Sequence, residues 1–118
     1  MVKNLWKNIT LLCGNHKDGE EVVMALKEGP ESLFYACPKY YPQNRKEGDR
    51  ACANRLNLVD FEKMLNHISE KLLKDDLQGV QSNLTGYHFT DRKGTKFTVI
   101  SHEGDYMKIQ MLNRRAIR

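Results

Sequence analysis

Apolar positions along this chain change period twice. A short run at Ile9 to Leu12 leads into Cys13 and predicts a strand. Val22 to Lys27 alternates loosely and predicts a second strand, and Leu33-Phe34-Tyr35-Ala36-Cys37 an aromatic third. Gly29-Pro30 marks the turn between those two. Phe61, Met64, Leu65, Ile68 and Leu72 then fall on one face of a helix. Asn57 is a good N-cap, Asp60 suits the positive end of the helix dipole, and Gly79 is a natural stop. From Leu84 the period returns to two. Tyr87 and Phe89 define one strand face, Phe97, Val99 and Ser101 a second, and Met107, Ile109 and Met111 a third. Turns are expected at Arg92 to Thr95 and at Glu103-Gly104-Asp105.

The expected fold is therefore α+β: a metal-binding N-terminal segment over 1–57, one amphipathic helix over 58–78, and a small antiparallel β module over 84–118, packed as one unit. The polar loop from Tyr40 to Arg50 interrupts the first segment.

Cysteine placement changes this picture most. All three cysteines, Cys13, Cys37 and Cys52, fall within 40 residues, beside turns or strand ends, and His16 completes a Cys-x2-His spacing with Cys13. An odd cysteine count with a close histidine suits a metal site better than a disulfide framework. A structural zinc takes four soft or borderline ligands in a closed tetrahedron, and Cys13, His16, Cys37 and Cys52 supply them. The alternative is that Cys37 and Cys52 are small buried hydrophobes and His16 a loop residue. Redox-active cysteines are disfavoured, since the chain has no Cys-x2-Cys.

Charge adds a weaker signal. The net charge is +4, distributed as −1 over residues 1–36, +3 over 37–57, −2 over 58–83 and +4 over 84–118. The basic excess sits beside Cys37 and Cys52 and at the C-terminal end, as an ordinary solvated surface or as a footprint for a polyanion. Arg114, Arg115 and Arg118 either extend that surface or form a solvated tail. Mean hydropathy is −0.65, and no apolar run approaches the roughly 20 residues that span a bilayer. A cytoplasmic protein is expected, with no membrane partner.

No glycine-rich phosphate loop, His-Glu-x-x-His or nucleophile elbow is present. Asp75-Asp76 points in two directions on a helix and forms no acid/base pair. His67 and Glu70 read as surface groups. The expectation is a protein that is not an enzyme.

Phe34-Tyr35-Ala36-Cys37-Pro38-Lys39-Tyr40-Tyr41-Pro42 resembles the second knuckle of the zinc ribbons appended to bacterial type IA topoisomerases. The resemblance covers residues 11–52, with Cys13-Gly14-Asn15-His16 in place of the first Cys-x2-Cys and Gln43 to Arg50 as an insertion. It implies a zinc ribbon that contacts single-stranded DNA. Phe34, Tyr35, Tyr40 and Tyr41 would then offer stacking surfaces, and Lys39, Arg45, Lys46, Arg50 and Arg55 would neutralise phosphates. Within that set, Lys39, Tyr40, Tyr41, Arg45, Lys46 and Arg50 form the candidate nucleic-acid surface. At least two of the four aromatics are expected to pack the core, and the alternative to stacking is that Phe34 and Tyr40 are core residues. The whole chain also resembles small uncharacterised proteins of Firmicutes. The rival function is a protein-interaction or oligomerisation module that offers its surface to a protein partner.

Overall fold

The helix forms where the sequence periodicity places it. A computed structural model describes residues 8–16, 20–79 and 83–113, and in it helix α1 runs Leu58–Leu77. Asn57 caps it, with its side-chain oxygen accepting from the Asp60 N–H at 2.8 Å. Gly79 ends it with φ +73°, a left-handed geometry that glycine adopts without a Cβ penalty. Phe61, Met64, Leu65 and Ile68 are buried. Each such side chain contributes about 1.5–3 kcal/mol through burial.

Two sheets flank this stripe. Strands β1 (Ile9–Cys13), β5 (His88–Thr90), β6 (Lys96–Glu103) and β7 (Tyr106–Leu112) form a four-stranded sheet in the order β1-β7-β6-β5. Strands β2 (Ala25–Glu28), β3 (Leu33–Ala36) and β4 (Arg55–Asn57) form a three-stranded antiparallel sheet in the order β2-β3-β4. The architecture is α+β, as the pattern implies.

The C-terminal strands pair antiparallel as expected, but they are joined by a fourth. β1 lies parallel to β7, with Leu11 opposite Ile109 and Cys13 opposite Met111. The expected strand over Val22 to Lys27 is also divided. Val22 to Met24 bond back onto β1, through Cys13 N–H to Val22 O and Met24 N–H to Leu11 O, both 2.8 Å. Only Ala25–Glu28 enters the second sheet. The first strand thus links the two sheets, and Cys13 stands at its end, between them.

One expected strand face is corrected by a bulge. Val99 faces Ile109, but the next pair is Ser101 with Lys108, and His102 faces Met107. The extra residue at Ile100 shifts the phase by one. Ser101 therefore leaves the core side and His102 takes its place. The His102 Nδ1 accepts the Leu84 N–H at 3.0 Å, which ties the segment after the helix onto β6.

A single hydrophobic cluster reaches across both sheets and the helix. It includes Leu11, Met24, Leu56, Phe61, Leu65, Ile68, Phe97, Val99, Ile109 and Met111, together with Cys13, Cys37 and Cys52. His67 is exposed, as expected, and its ring stacks on Phe89 at 4.0 Å. Arg114, Arg115 and Arg118 lie outside the described residues.

Candidate metal centre

Three separate segments deliver the four expected ligands to one place. β1 ends in Cys13, and the bend after it carries His16. β3 ends at Ala36, so Cys37 follows directly, and Pro38 then opens a short 3-10 turn. Cys52 precedes β4 by three residues. The Cys37 and Cys52 segments are laced together by Cys37 N–H to Asn54 O at 3.0 Å and Cys52 N–H to Lys39 O at 3.4 Å.

The ligand atoms of Cys13, His16, Cys37 and Cys52 all lie within 4.8 Å of one another. Cys13 Sγ and Cys52 Sγ are 3.7 Å apart, and His16 Nε2 is 3.2 Å from Cys37 Sγ. A tetrahedral ion with metal–sulfur bonds of about 2.3 Å sets neighbouring sulfurs about 3.8 Å apart. The spacing fits an ion held between the sulfurs. This group can hold a metal ion, and its donor set of three sulfurs and one imidazole suits a borderline-soft divalent cation.

Hydrogen bonding around the sulfurs favours thiolates. The backbone N–H of Asn15, Lys39 and Asn54 meets the sulfur of Cys13, Cys37 and Cys52 respectively, each from two residues further on. Asn54 Nδ2 adds a bond to Cys13 Sγ at 3.2 Å, and Asn15 Nδ2 approaches Cys52 Sγ at 3.7 Å. Donors aimed at buried sulfur stabilise its charged form. With protons alone to share, the three thiols divide unequally. Bonds from the Cys13 and Cys37 side chains hold Cys52 down at about 2. Those same contacts, first Cys13 and then Cys52, with burial added, push Cys37 up. For Cys13 the lowering bond from Cys37 is outweighed by Cys52 and burial, and its thiol rises. A divalent cation held by Cys13, His16, Cys37 and Cys52 would favour the thiolate form of all three sulfurs, with Cys13 and Cys37 giving up their protons on binding.

Second contacts fix the ligand segments. The Asn15 side chain bonds the Asn113 backbone twice, donating to its O at 2.7 Å and accepting its N–H at 3.0 Å. Gly14 is required for a different reason from turn geometry. A Cβ there would lie 2.6–3.0 Å from the Gln110 side chain on β7, so only glycine allows this approach.

The expected nucleic-acid residues are divided by the structure. Lys39 is corrected. It is buried at 6% exposure, with Nζ held by Glu20 and, at 2.6 Å, by Asp49. It braces the ligand segments rather than facing solvent. Tyr40 and Tyr41 are exposed and meet edge to face at 5.4 Å. Lys46 and Arg50 are exposed and Arg45 is half-buried. The expectation that at least two of the four aromatics pack the core is corrected: of the four, Tyr35 does so, its ring 4.8 Å from Phe61, and Tyr40 is exposed. Strand alternation sends Phe34 to the opposite, outer face.

That outer face carries residues outside the candidate six. Lys27 is opposite Phe34, and Arg55 is opposite Ala36. The Arg55 guanidinium lies 4.4 Å over the Phe34 ring, and Lys27 Nζ lies 5.3 Å from the centre of the Tyr41 ring. Small Ala36 and Ala53 leave a depression of about 330 Å³ between Phe34, Tyr40, Tyr41 and Arg55.

Sequence reasoning missed Asn15 and Asn54 as partners of the sulfurs. Their signal is legible in retrospect, since Cys-x-Asn occurs at Cys13-Gly14-Asn15 and again at Cys52-Ala53-Asn54.

No family model, curated protein or solved structure matches the chain. Among the described residues, no helix is long and apolar enough to cross a membrane.

Proposed function

We propose that Cys13, His16, Cys37 and Cys52 hold one structural zinc ion, and that the module so held binds single-stranded nucleic acid without catalysing a reaction on it. The observation that carries the metal reading is the convergence of three segments, each cysteine with an N–H aimed at its sulfur. Four protein ligands close the shell, which suits a structural role better than a catalytic one. Zinc suits a buried group of three sulfurs and one imidazole.

The nucleic-acid reading draws on the outer face of the three-stranded sheet. Phe34, Tyr40 and Tyr41 offer flat apolar surfaces beside Lys27 and Arg55, and Lys46 and Arg50 are exposed on the loop that follows the tyrosines. Bases stack on such rings with little sequence preference, and the cations neutralise phosphates.

Elemental analysis of the purified full chain tests the metal, with one zinc per chain expected. A metal-free protein of unchanged stability overturns the reading. Titration with a labelled oligothymidine tests the binding, which should weaken steeply with salt and on Tyr41→Ala or Arg50→Ala. No binding at low salt overturns that half of the proposal.

A further inference from the structure

The four side chains of the centre are held unequally. Cys13, Cys37 and Cys52 are only 3%, 0% and 0% exposed. Their segments are tied on both sides, through Gly14 N–H to Met111 O at 2.7 Å, Cys37 N–H to Asn54 O at 3.0 Å and Cys52 N–H to Lys39 O at 3.4 Å. Asn15 is anchored through its two bonds to Asn113. His16 lies one residue past that anchor and is half-buried. Among the described residues, its one hydrogen-bond contact is Nε2 with Cys37 Sγ.

We propose that His16 is the exchangeable ligand of the centre. The three sulfurs form a preformed bowl, and the imidazole closes it from the solvent side. When His16 turns away, the bowl keeps its shape. The freed position accepts water or the lone pair of an external amine or thiol, and the ion is loaded and surrendered along that side. No electron is transferred; the bond to Nε2 breaks and one to the incoming donor forms. A site with four buried thiolates would lack this route, so the histidine gives an external acceptor access to the ion while the three sulfurs still hold it. The inference rests on the zinc reading above.

The test follows zinc transfer from the loaded full chain to the chromogenic chelator 4-(2-pyridylazo)resorcinol. With one of four ligands replaced by water, His16→Ala should keep its far-ultraviolet circular dichroism and transfer zinc about tenfold faster or more. With a fourth thiolate, His16→Cys should transfer it at least about tenfold more slowly. Rates for both variants within about twofold of wild type would overturn the proposal. So would loss of fold and zinc in His16→Ala combined with a wild-type rate in His16→Cys. A wild-type chain that holds no zinc defeats the metal reading itself and this inference with it. A zinc-bearing chain with insensitive rates defeats this inference alone.

Discussion

Asn54 donates from Nδ2 to the sulfur of Cys13, 41 residues earlier, at 3.2 Å. The residue is 1% exposed and its side chain also approaches Met111 O at 3.4 Å, so one asparagine touches the first ligand, follows the fourth by two residues and reaches β7. Removing a donor from a buried thiolate costs about 1.5–3 kcal/mol. Asn54→Ala should lower the denaturation midpoint accordingly and weaken zinc about 10–100-fold in a chelator competition. Asn54→Asp has nearly the same shape but sets a carboxylate against the sulfur, and should bind zinc more weakly than Asn54→Ala.

Gly14 and Gln110 should behave as a coupled pair. The added Cβ in Gly14→Ala falls 2.7 Å from Gln110 Cγ, an atom too near the β7 backbone to swing clear. Overpacking of this kind costs about 1–3 kcal/mol. Gln110→Ala removes the obstructing atoms, so the double variant should recover most of the loss. Equilibrium unfolding of the four proteins in a double-mutant cycle measures the coupling, and strictly additive losses would contradict it.

Lys39 should make stability depend on acid pH. Bonds from its ammonium hold Asp49 and Glu20 below their ordinary values of 3.8 and 4.5. A carboxylate with a depressed folded-state value stabilises the fold above its ordinary value, and that stability is lost as pH falls through the depressed one. Lys39→Met should therefore have a lower denaturation midpoint than wild type at neutral pH. The gap should narrow once pH drops below about 4, where the carboxylates take up protons. The raised value of Lys39, due first to Asp49 and then to Glu20, keeps the ion pairs intact through the neutral and mildly alkaline range. A gap that is constant down to the acid limit would rule out the ion pairs as its source.

Metal removal should be visible in the thiols themselves. The three cysteines are shielded by burial, and a bound zinc would shield them further. Ellman's reagent should find almost no reactive thiol before chelation and all three after it. Cys37→Ala should reproduce the chelated state, with lost near-ultraviolet circular dichroism, because removing a ligand from a structural site removes folding energy. Three thiols that react at once in the zinc-loaded chain would contradict the buried arrangement.

The helix was legible because its signals are local: a 3.6-residue period, the Asn57 cap and the Gly79 stop lie within one stretch of chain. The grouping of Cys13, His16, Cys37 and Cys52 was legible by residue type and spacing. What brings them together was not. The parallel pairing of β1 with β7 joins the two ends of the chain, and no local pattern names a strand's distant partner. The bulge at Ile100 was hidden because one inserted residue reverses alternation without changing composition. Lys39 misled because a lysine in a basic loop reads as solvated, and only the fold brings Glu20 and Asp49 to it.

The bond between Asn15 and Asn113 spans 98 residues, and the sheet beside it is completed only when β7 joins β1. All four ligands emerge early in synthesis, with the first knuckle still lacking its lock. At 5–20 residues per second, about three to twelve seconds separate the emergence of Cys52 from that of β7. Throughout that interval the thiols are open to any passing ion or oxidant. Metal binding at this group would therefore begin before the site is closed, and a ribosome that stalls before Tyr106 leaves the cysteines unsheltered.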